Sequence, residues 1–296
     1  MAYKLLGLEG EVITTPFSFV ATTSSLVWEG LKPVFIDIDP DTFCMDYRKI
    51  EEKITEKTSA IVPVHVFGNG CEVEEIERIA TKHNLKVVYD AAHAFGIKYK
   101  GESILNFGDV SVLSFHATKV FHTIEGGALV INNDDLYYKA KKLINFGITG
   151  PETIDGIGIN AKMNELEAAM GLCVLDDVEE IIKKRQIVFN NYMDAFTKVK
   201  HIKLQVYNSN CTRNYSYFPI VFEKEEVLKN VKAKLEENGI YPRRYFYPSL
   251  NTLDYTENCE AENSVNISNC VLCLPIYDGL ETDQQNKIID IVIENI

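Results

Sequence analysis

The chain has 296 residues and a formal charge of −13, from 43 Asp and Glu against 30 Lys and Arg, so it lacks the positive footprint of a general nucleic-acid binder. Its hydrophobic fraction of 46% suffices to bury a core without disulfides, and its seven scattered cysteines read as reduced thiols of a cytoplasmic protein. No apolar run approaches a membrane-spanning length and no basic-then-apolar leader opens the sequence, so no membrane span or signal peptide is expected.

Residues 11 to 22, EVITTPFSFVAT, read as a strand followed by a loop, because β-branched residues precede Pro16. A helix is expected over 23 to 31, ending near Gly30, and then PVFIDIDP supplies an apolar strand. Residues 46 to 56 read as helical, and 59 to 66 form another β-branched run. Cys71 to Asn84 has helical spacing, with Val73, Ile76, Ile79 and Ala80 on its apolar side. KVVYD (86 to 90), VSVLSF (110 to 115) and ALVINN (128 to 133) are three more short strands. From Asn164 to about Phe196 the pattern is helical but longer than one typical helix, and Gly171 suggests a bend or break. The remainder offers a strand over 215 to 222, helices over 225 to 238 and 281 to 294, and a Tyr-, Arg- and Pro-rich loop over 239 to 248. Cys270-Val271-Leu272-Cys273 is a lone C-x-x-C among apolar residues, better read as a core pair than as a metal or redox site.

Short strands alternating with amphipathic helices predict an α/β fold with a mainly parallel sheet, which collects ligands at strand C-terminal ends. Asp90 and Ser114 stand at two such ends, and Lys119 follows Ser114 within SFHATK. A lysine whose amine loses its proton, beside a carboxylate, is what pyridoxal phosphate requires: the lysine carries the cofactor and the carboxylate keeps its ring nitrogen protonated. Taken singly, Asp90 reads as a turn cap, Lys119 as a solvated lysine, and His93 and His116 as plain polar or core histidines. Glu125-Gly126-Gly127 allows a tight turn or a close approach to a ligand. A dinucleotide-binding dehydrogenase is excluded by the absence of G-x-G-x-x-G after a first strand.

The motifs TPFSFVATTSS (15 to 25), PVFIDIDPDTFCMD (33 to 46), PVHVFGN (63 to 69), YDAAHAFG (89 to 96), GDVSVLSFHATK (108 to 119), EGGALV (125 to 130) and GINAKMNELEAAMGL (158 to 172) occur in one order. In these the chain resembles the DegT/DnrJ/EryC1/StrS family of nucleotide-sugar aminotransferases, across residues 11 to 280. The resemblance implies the aspartate aminotransferase-like fold (PLP fold type I), with a large domain over 1–175 and a linking helix and small α+β domain over 176–296. It implies pyridoxal 5'-phosphate as cofactor, linked as an aldimine to Lys119, with Asp90 on the ring nitrogen and His93 near the ring hydroxyl. It further implies that Phe19 stacks on the ring, that Ser114 binds the phosphate, and that Asn160 reaches the phosphate of a neighbouring subunit in a homodimer. The implied reaction moves an amino group from L-glutamate to a nucleoside-diphosphate keto sugar, most similar to the branch acting on dTDP-4-keto-6-deoxyhexoses. Arg213, Arg243 and Arg244 are the arginines considered for the diphosphate, and Tyr215, Tyr217, Tyr245 and Tyr247 for the nucleotide or sugar.

Two departures from the family pattern carry expectations. Members usually begin with a longer segment whose Gly-Thr or Ser-Thr turn holds the cofactor phosphate. No equivalent turn is found here, so a shortened large domain with exposed apolar area and weakened cofactor binding is expected. Ile124 stands where many members have glycine, and an ordinary β or α conformation is expected for it. Two alternatives compete with the aminotransferase. A dehydratase-like branch has His at the lysine position, which Lys119 opposes. A truncated homologue with weak or absent catalysis would serve as a structural or interacting protein.

Overall fold

The computed structural model describes residues 1–257 and 259–296. Its large sheet has the order β2-β1-β3-β4-β7-β8. These strands are β1 (Glu11–Thr14), β2 (Lys32–Phe35), β3 (Thr58–Val62), β4 (Lys86–Asp90), β7 (Val110–Ser114) and β8 (Gly127–Val130). The first five pair in parallel, and β8 closes the edge antiparallel to β7. Between β4 and β7 lies a small hairpin of β5 (Lys98–Tyr99) and β6 (Glu102–Ser103).

The sheet is covered on both faces because side chains alternate along each strand. Val12, Ala60, Val62, Val88 and Val110 pack on the face that meets Leu26 and the N-terminal residues. Ile13, Ile61, Val87, Tyr89 and Leu113 pack on the other, against Ile76 and Ile79. Leu26 comes from α2 (Val20–Trp28), and α1 (Ala2–Leu6) lies on the same side. Ile76 and Ile79 come from α3 (Val73–His83), whose buried residues are the four expected from its spacing. Helix α4 (Asp134–Leu143), capped by the Asn133 side chain on the Leu136 amide, and the hairpin β9 (Ile148–Gly150) and β10 (Thr153–Ile154) follow; neither was expected from the sequence.

The second core lies around a three-stranded antiparallel sheet of β11 (Ile202–Leu204), β12 (Phe218–Phe222) and β13 (Val271–Leu274). Helix α5 (Glu165–Phe196), α6 (Glu225–Glu237) and α8 (Thr282–Glu294) contribute Phe189, Leu228, Val231 and Ile288 to it. Helix α7 (Glu262–Cys270) leads directly into β13, so Cys270 ends a helix and Cys273 lies buried in a strand, both as free thiols.

Two expectations are corrected. Residues 46 to 56 form two 3₁₀ turns, Tyr47–Lys49 and Glu51–Lys53, started by the Asp46 carboxylate accepting from the Arg48 amide and ended where Ile54 turns extended. Helix α5 is a single helix of 32 residues with no break at Gly171. A Cβ at that position would lie 2.9 Å from the Thr123 methyl, so the glycine serves close packing. Smaller shifts move the α2 span to 20–28. Among the described residues no helix is long and apolar enough to cross a membrane.

Candidate active site

Parallel strands aim their following loops at one edge of the sheet, and here that edge is occupied by the loops after β1, β3, β4 and β7. The strand order reverses between β1 and β3, which opens a crevice at their C-terminal ends. Thr15 to Phe19 leave β1, Val64 to Asn69 follow β3, Asp90 ends β4, and Ser114 ends β7.

Asp90 is half-buried and held on both oxygens. Its Oδ2 accepts from the Thr22 hydroxyl at 2.6 Å, and its Oδ1 accepts from the Ala92 amide at 3.2 Å. Thr22 stands on α2, one turn beyond Phe19, and its hydroxyl also meets that of Ser18 at 2.7 Å. The carboxylate is thereby fixed in direction before any ligand arrives.

His93 is buried among aromatic rings, nearly parallel to Phe67 and Phe246 at 6.3 and 5.8 Å, with Tyr217 at 4.7 Å. Its Nδ1 accepts from the Phe67 amide at 3.2 Å, so the neutral ring carries its proton on Nε2. Burial, helped by the charge of Lys119, holds His93 well below the usual imidazole pKa and therefore neutral. His65, also in the β3 loop, accepts on Nδ1 from the Cys71 amide, stacks on Tyr89 at 4.7 Å, and has its pKa pushed down to about 3 by burial.

Lys119 lies half-buried after β7. Burial lowers its ammonium pKa, the Asp90 carboxylate opposes that shift, and Arg243 reinforces it. Lys119 thus interacts electrostatically with both Asp90 and His93. Ser114 is half-buried at the strand end, its Oγ accepting from the His116 amide at 3.5 Å. Phe19 caps α2 with its ring half exposed at the rim, edge-on to Tyr245 at 6.4 Å. The Glu125-Gly126-Gly127 turn brings the chain back close to β7: a Cβ on Gly127 would lie 2.7 Å from the Leu113 carbonyl oxygen. Ile124 before it adopts φ 70°, correcting the expectation of an ordinary conformation; the tight return to β8 imposes a left-handed residue there.

Asn160 lies apart from this group in the single chain. It is exposed, bridges to Asn145, and accepts from the Lys162 ammonium at 2.7 Å. Of the three arginines singled out by sequence, only Arg243 lines the cavity of about 400 Å³ that Lys119 opens into. Arg213 stacks on Tyr207 at 4.0 Å, while Arg244 pairs with Glu225 and stacks on Tyr247 at 3.6 Å. Of the four tyrosines, Tyr217 lines that cavity. Thr22, Ser18, Phe67, Phe246 and Arg185 were missed: Ser18 meets Thr22 one turn away, and the others reach the site through contacts distant in sequence. A larger apolar cavity of about 950 Å³ lies on the other face of the sheet, between Ala2, Trp28, Leu129 and Tyr137.

The donor set suits pyridoxal phosphate. A half-buried amine whose proton affinity burial lowers feels the charge of an oriented carboxylate, and a neutral imidazole is buried among aromatic rings.

The sequence model of the DegT/DnrJ/EryC1/StrS aminotransferase family matches residues 1–293. The chain is 44% identical over 299 residues to a dTDP-4-amino-4,6-dideoxy-D-glucose transaminase of Shigella dysenteriae, covering 99% of this chain and 82% of the relative. It is 34% identical over 268 residues to a GDP-perosamine synthase of Escherichia coli O157:H7, covering 87% and 71%. The solved structure of DesI in the presence of its TDP-sugar product superimposes with a TM-score of 0.91 at 32% identity, covering 98% of this chain and 77% of that one.

Proposed function

Because the chain belongs to the DegT/DnrJ/EryC1/StrS aminotransferase family, we propose that it transfers an amino group from L-glutamate to a nucleoside-diphosphate keto sugar, a dTDP-4-keto-6-deoxyhexose. The observation that carries this reading is the placement of Asp90 and Ser114 at the C-terminal ends of the paired strands β4 and β7, with His93 and Lys119 on the segments that follow them. The dTDP sugar is favoured over a GDP sugar by the higher identity to the dTDP-sugar transaminase.

Pyridoxal phosphate, when bound, supplies a protonated ring that accepts the electron pair left as a proton leaves the substrate carbon. Lys119 is the residue to which it would be linked, Asp90 would hold the ring nitrogen's proton, and Nε2–H of His93 would donate to the ring hydroxyl. Phe19 would cover one ring face, and Ser114 would donate to the phosphate. Lys119 Nζ then takes the proton from the donor carbon and delivers one to the sugar carbon. Its lowered pKa leaves more neutral amine for that work near neutral pH. Arg243, on the cavity wall and beside Lys119, is placed to meet the anionic part of a substrate.

The site would be completed across a homodimer, with Asn160 reaching the neighbour's phosphate. This is supported by the exposed Ile154, Ile157, Ile159 and Leu166 around Asn160, apolar surface suited to a second copy. The division into domains would fall within α5, near residue 175. The seven unpaired thiols suit a reducing cytoplasm.

The test is incubation of the cofactor-loaded chain with L-glutamate and dTDP-4-keto-6-deoxyglucose. Equal amounts of 2-oxoglutarate and dTDP-amino sugar are expected, the second identified by mass. No amino sugar with this or a GDP-linked keto sugar would contradict the reading.

A further inference from the structure

Helix α5 buries one stripe of side chains, and Val178, Val188, Phe189 and Phe196 are typical of it. Arg185 shares that stripe and is 8% exposed. A guanidinium so placed has lost its hydration, and buried charges are ordinarily matched by an opposite charge in contact. Among the described residues Arg185 makes no such ion pair. Its Nη1 donates at 3.3 Å to the carbonyls of Tyr215 and Ser216, both neutral acceptors. Its Nε is buried with no acceptor. Among the described residues Nη2 has no bonding partner either, yet it is not among the sealed atoms, so it is the nitrogen left to the cavity that Arg185 lines.

That cavity is the one Lys119 opens into. Its walls carry Lys119, Arg185 and Arg243 against Asp278 as the single acid, a local inversion of charge in a chain of net charge −13. Asp278 tempers the charge of Arg185 without forming an ion pair with it. The Tyr217 hydroxyl, belonging to another side chain of this wall, is buried and unpartnered. Arg243 is the arginine whose charge acts on Lys119, and Arg185 lines the same cavity.

We propose that Arg185 binds the side-chain carboxylate of the amino donor and so selects a dicarboxylic amino acid. This rests on the aminotransferase reading and adds to it the residue that recognises the donor. A planar guanidinium pairs with a carboxylate through two parallel bonds, and the ligand would supply the negative charge that the fold withholds.

The test uses glutarate, a dicarboxylate with no amine to react, titrated calorimetrically into the purified chain with and without pyridoxal phosphate. Wild type should bind glutarate at least tenfold more tightly than butyrate, and Arg185→Gln should weaken glutarate roughly 10- to 100-fold. In the cofactor-loaded protein, the preference for L-glutamate over L-alanine should collapse by the same factor, mainly through KM. Equal glutarate affinity in wild type and folded Arg185→Gln overturns the proposal. If that variant does not fold, wild type decides alone: equal affinity for glutarate and butyrate overturns the proposal, and a tenfold preference supports it. Failure of amino transfer from every donor, with Arg185-dependent glutarate binding intact, would overturn the aminotransferase reading and leave the carboxylate site standing.

Discussion

The floor of the crevice and the segment from 144 to 163 treat their polar and apolar groups in opposite ways. On the floor several key groups find partners inside the chain. Asp90 is held by Thr22 and Ala92, His93 by the Phe67 amide, and His65 by the Cys71 amide. In the later segment Ile154 and Ile157 are 74% and 92% exposed, and Asn160 binds only near neighbours. These floor contacts are made within one chain. The segment presents its side chains to something outside, which the proposed dimer would provide.

The sharpest way to break this contrast is at Asp90. Asp90→Asn keeps an oxygen for Thr22 or Ala92 but removes the charge. The rate of cofactor conversion by L-glutamate should fall roughly a hundredfold or more, with the melting temperature little changed. A wild-type rate would remove Asp90 from its assigned role.

Acid should attack the floor next. The folded state holds His65 at a pKa of about 3, below the ordinary 6.5, so the unfolded chain binds more protons between those values. Its stabilising effect is complete above about pH 6.5 and is lost as pH falls toward 3. From pH 7 to 5 this amounts to about 2 kcal/mol, readable by urea unfolding. His93 is shifted in the same direction. His65→Gln should flatten the slope, and an unchanged slope would contradict the assignment.

The outward segment is tested by Asn160→Ala, which should weaken pyridoxal phosphate binding about tenfold if one charge-assisted bond is lost. Mixing this variant with Lys119→Ala under exchange of subunits should restore about a quarter of the wild-type sites, because one site of each mixed dimer has both residues. No recovery despite exchange would place Asn160 outside the neighbour's site. The smallest effect is at Ile124, whose left-handed backbone strains a β-branched residue. Ile124→Gly should stabilise the chain by about 1 kcal/mol in urea unfolding.

How legible these features were depended on sequence separation. Asp90, Ser114 and Lys119 were readable because each sits at or just beyond a short apolar strand, and parallel strands aim their ends at one crevice. The apolar side of α3 followed directly from its spacing. Arg185 was hidden because it lies in an otherwise apolar helical stripe, and only the chain's return at Tyr215 and Ser216 reveals what surrounds it. Thr22 was hidden for the same reason: its partner Asp90 is 68 residues away. Gly171 misled because the conformational cost of glycine in a helix says nothing of the Thr123 methyl packed against it. Trp28, which is 89% exposed, lines the apolar cavity of about 950 Å³.

The central claim is that the crevice at the strand ends holds pyridoxal phosphate on Lys119. It is tested most directly by a visible absorption titration with the cofactor, followed by borohydride reduction and peptide mass mapping. A specific band and a reduced cofactor label on Lys119, both lost in Lys119→Ala, are predicted. No specific band, or a label that settles on other lysines and persists in Lys119→Ala, would contradict the account.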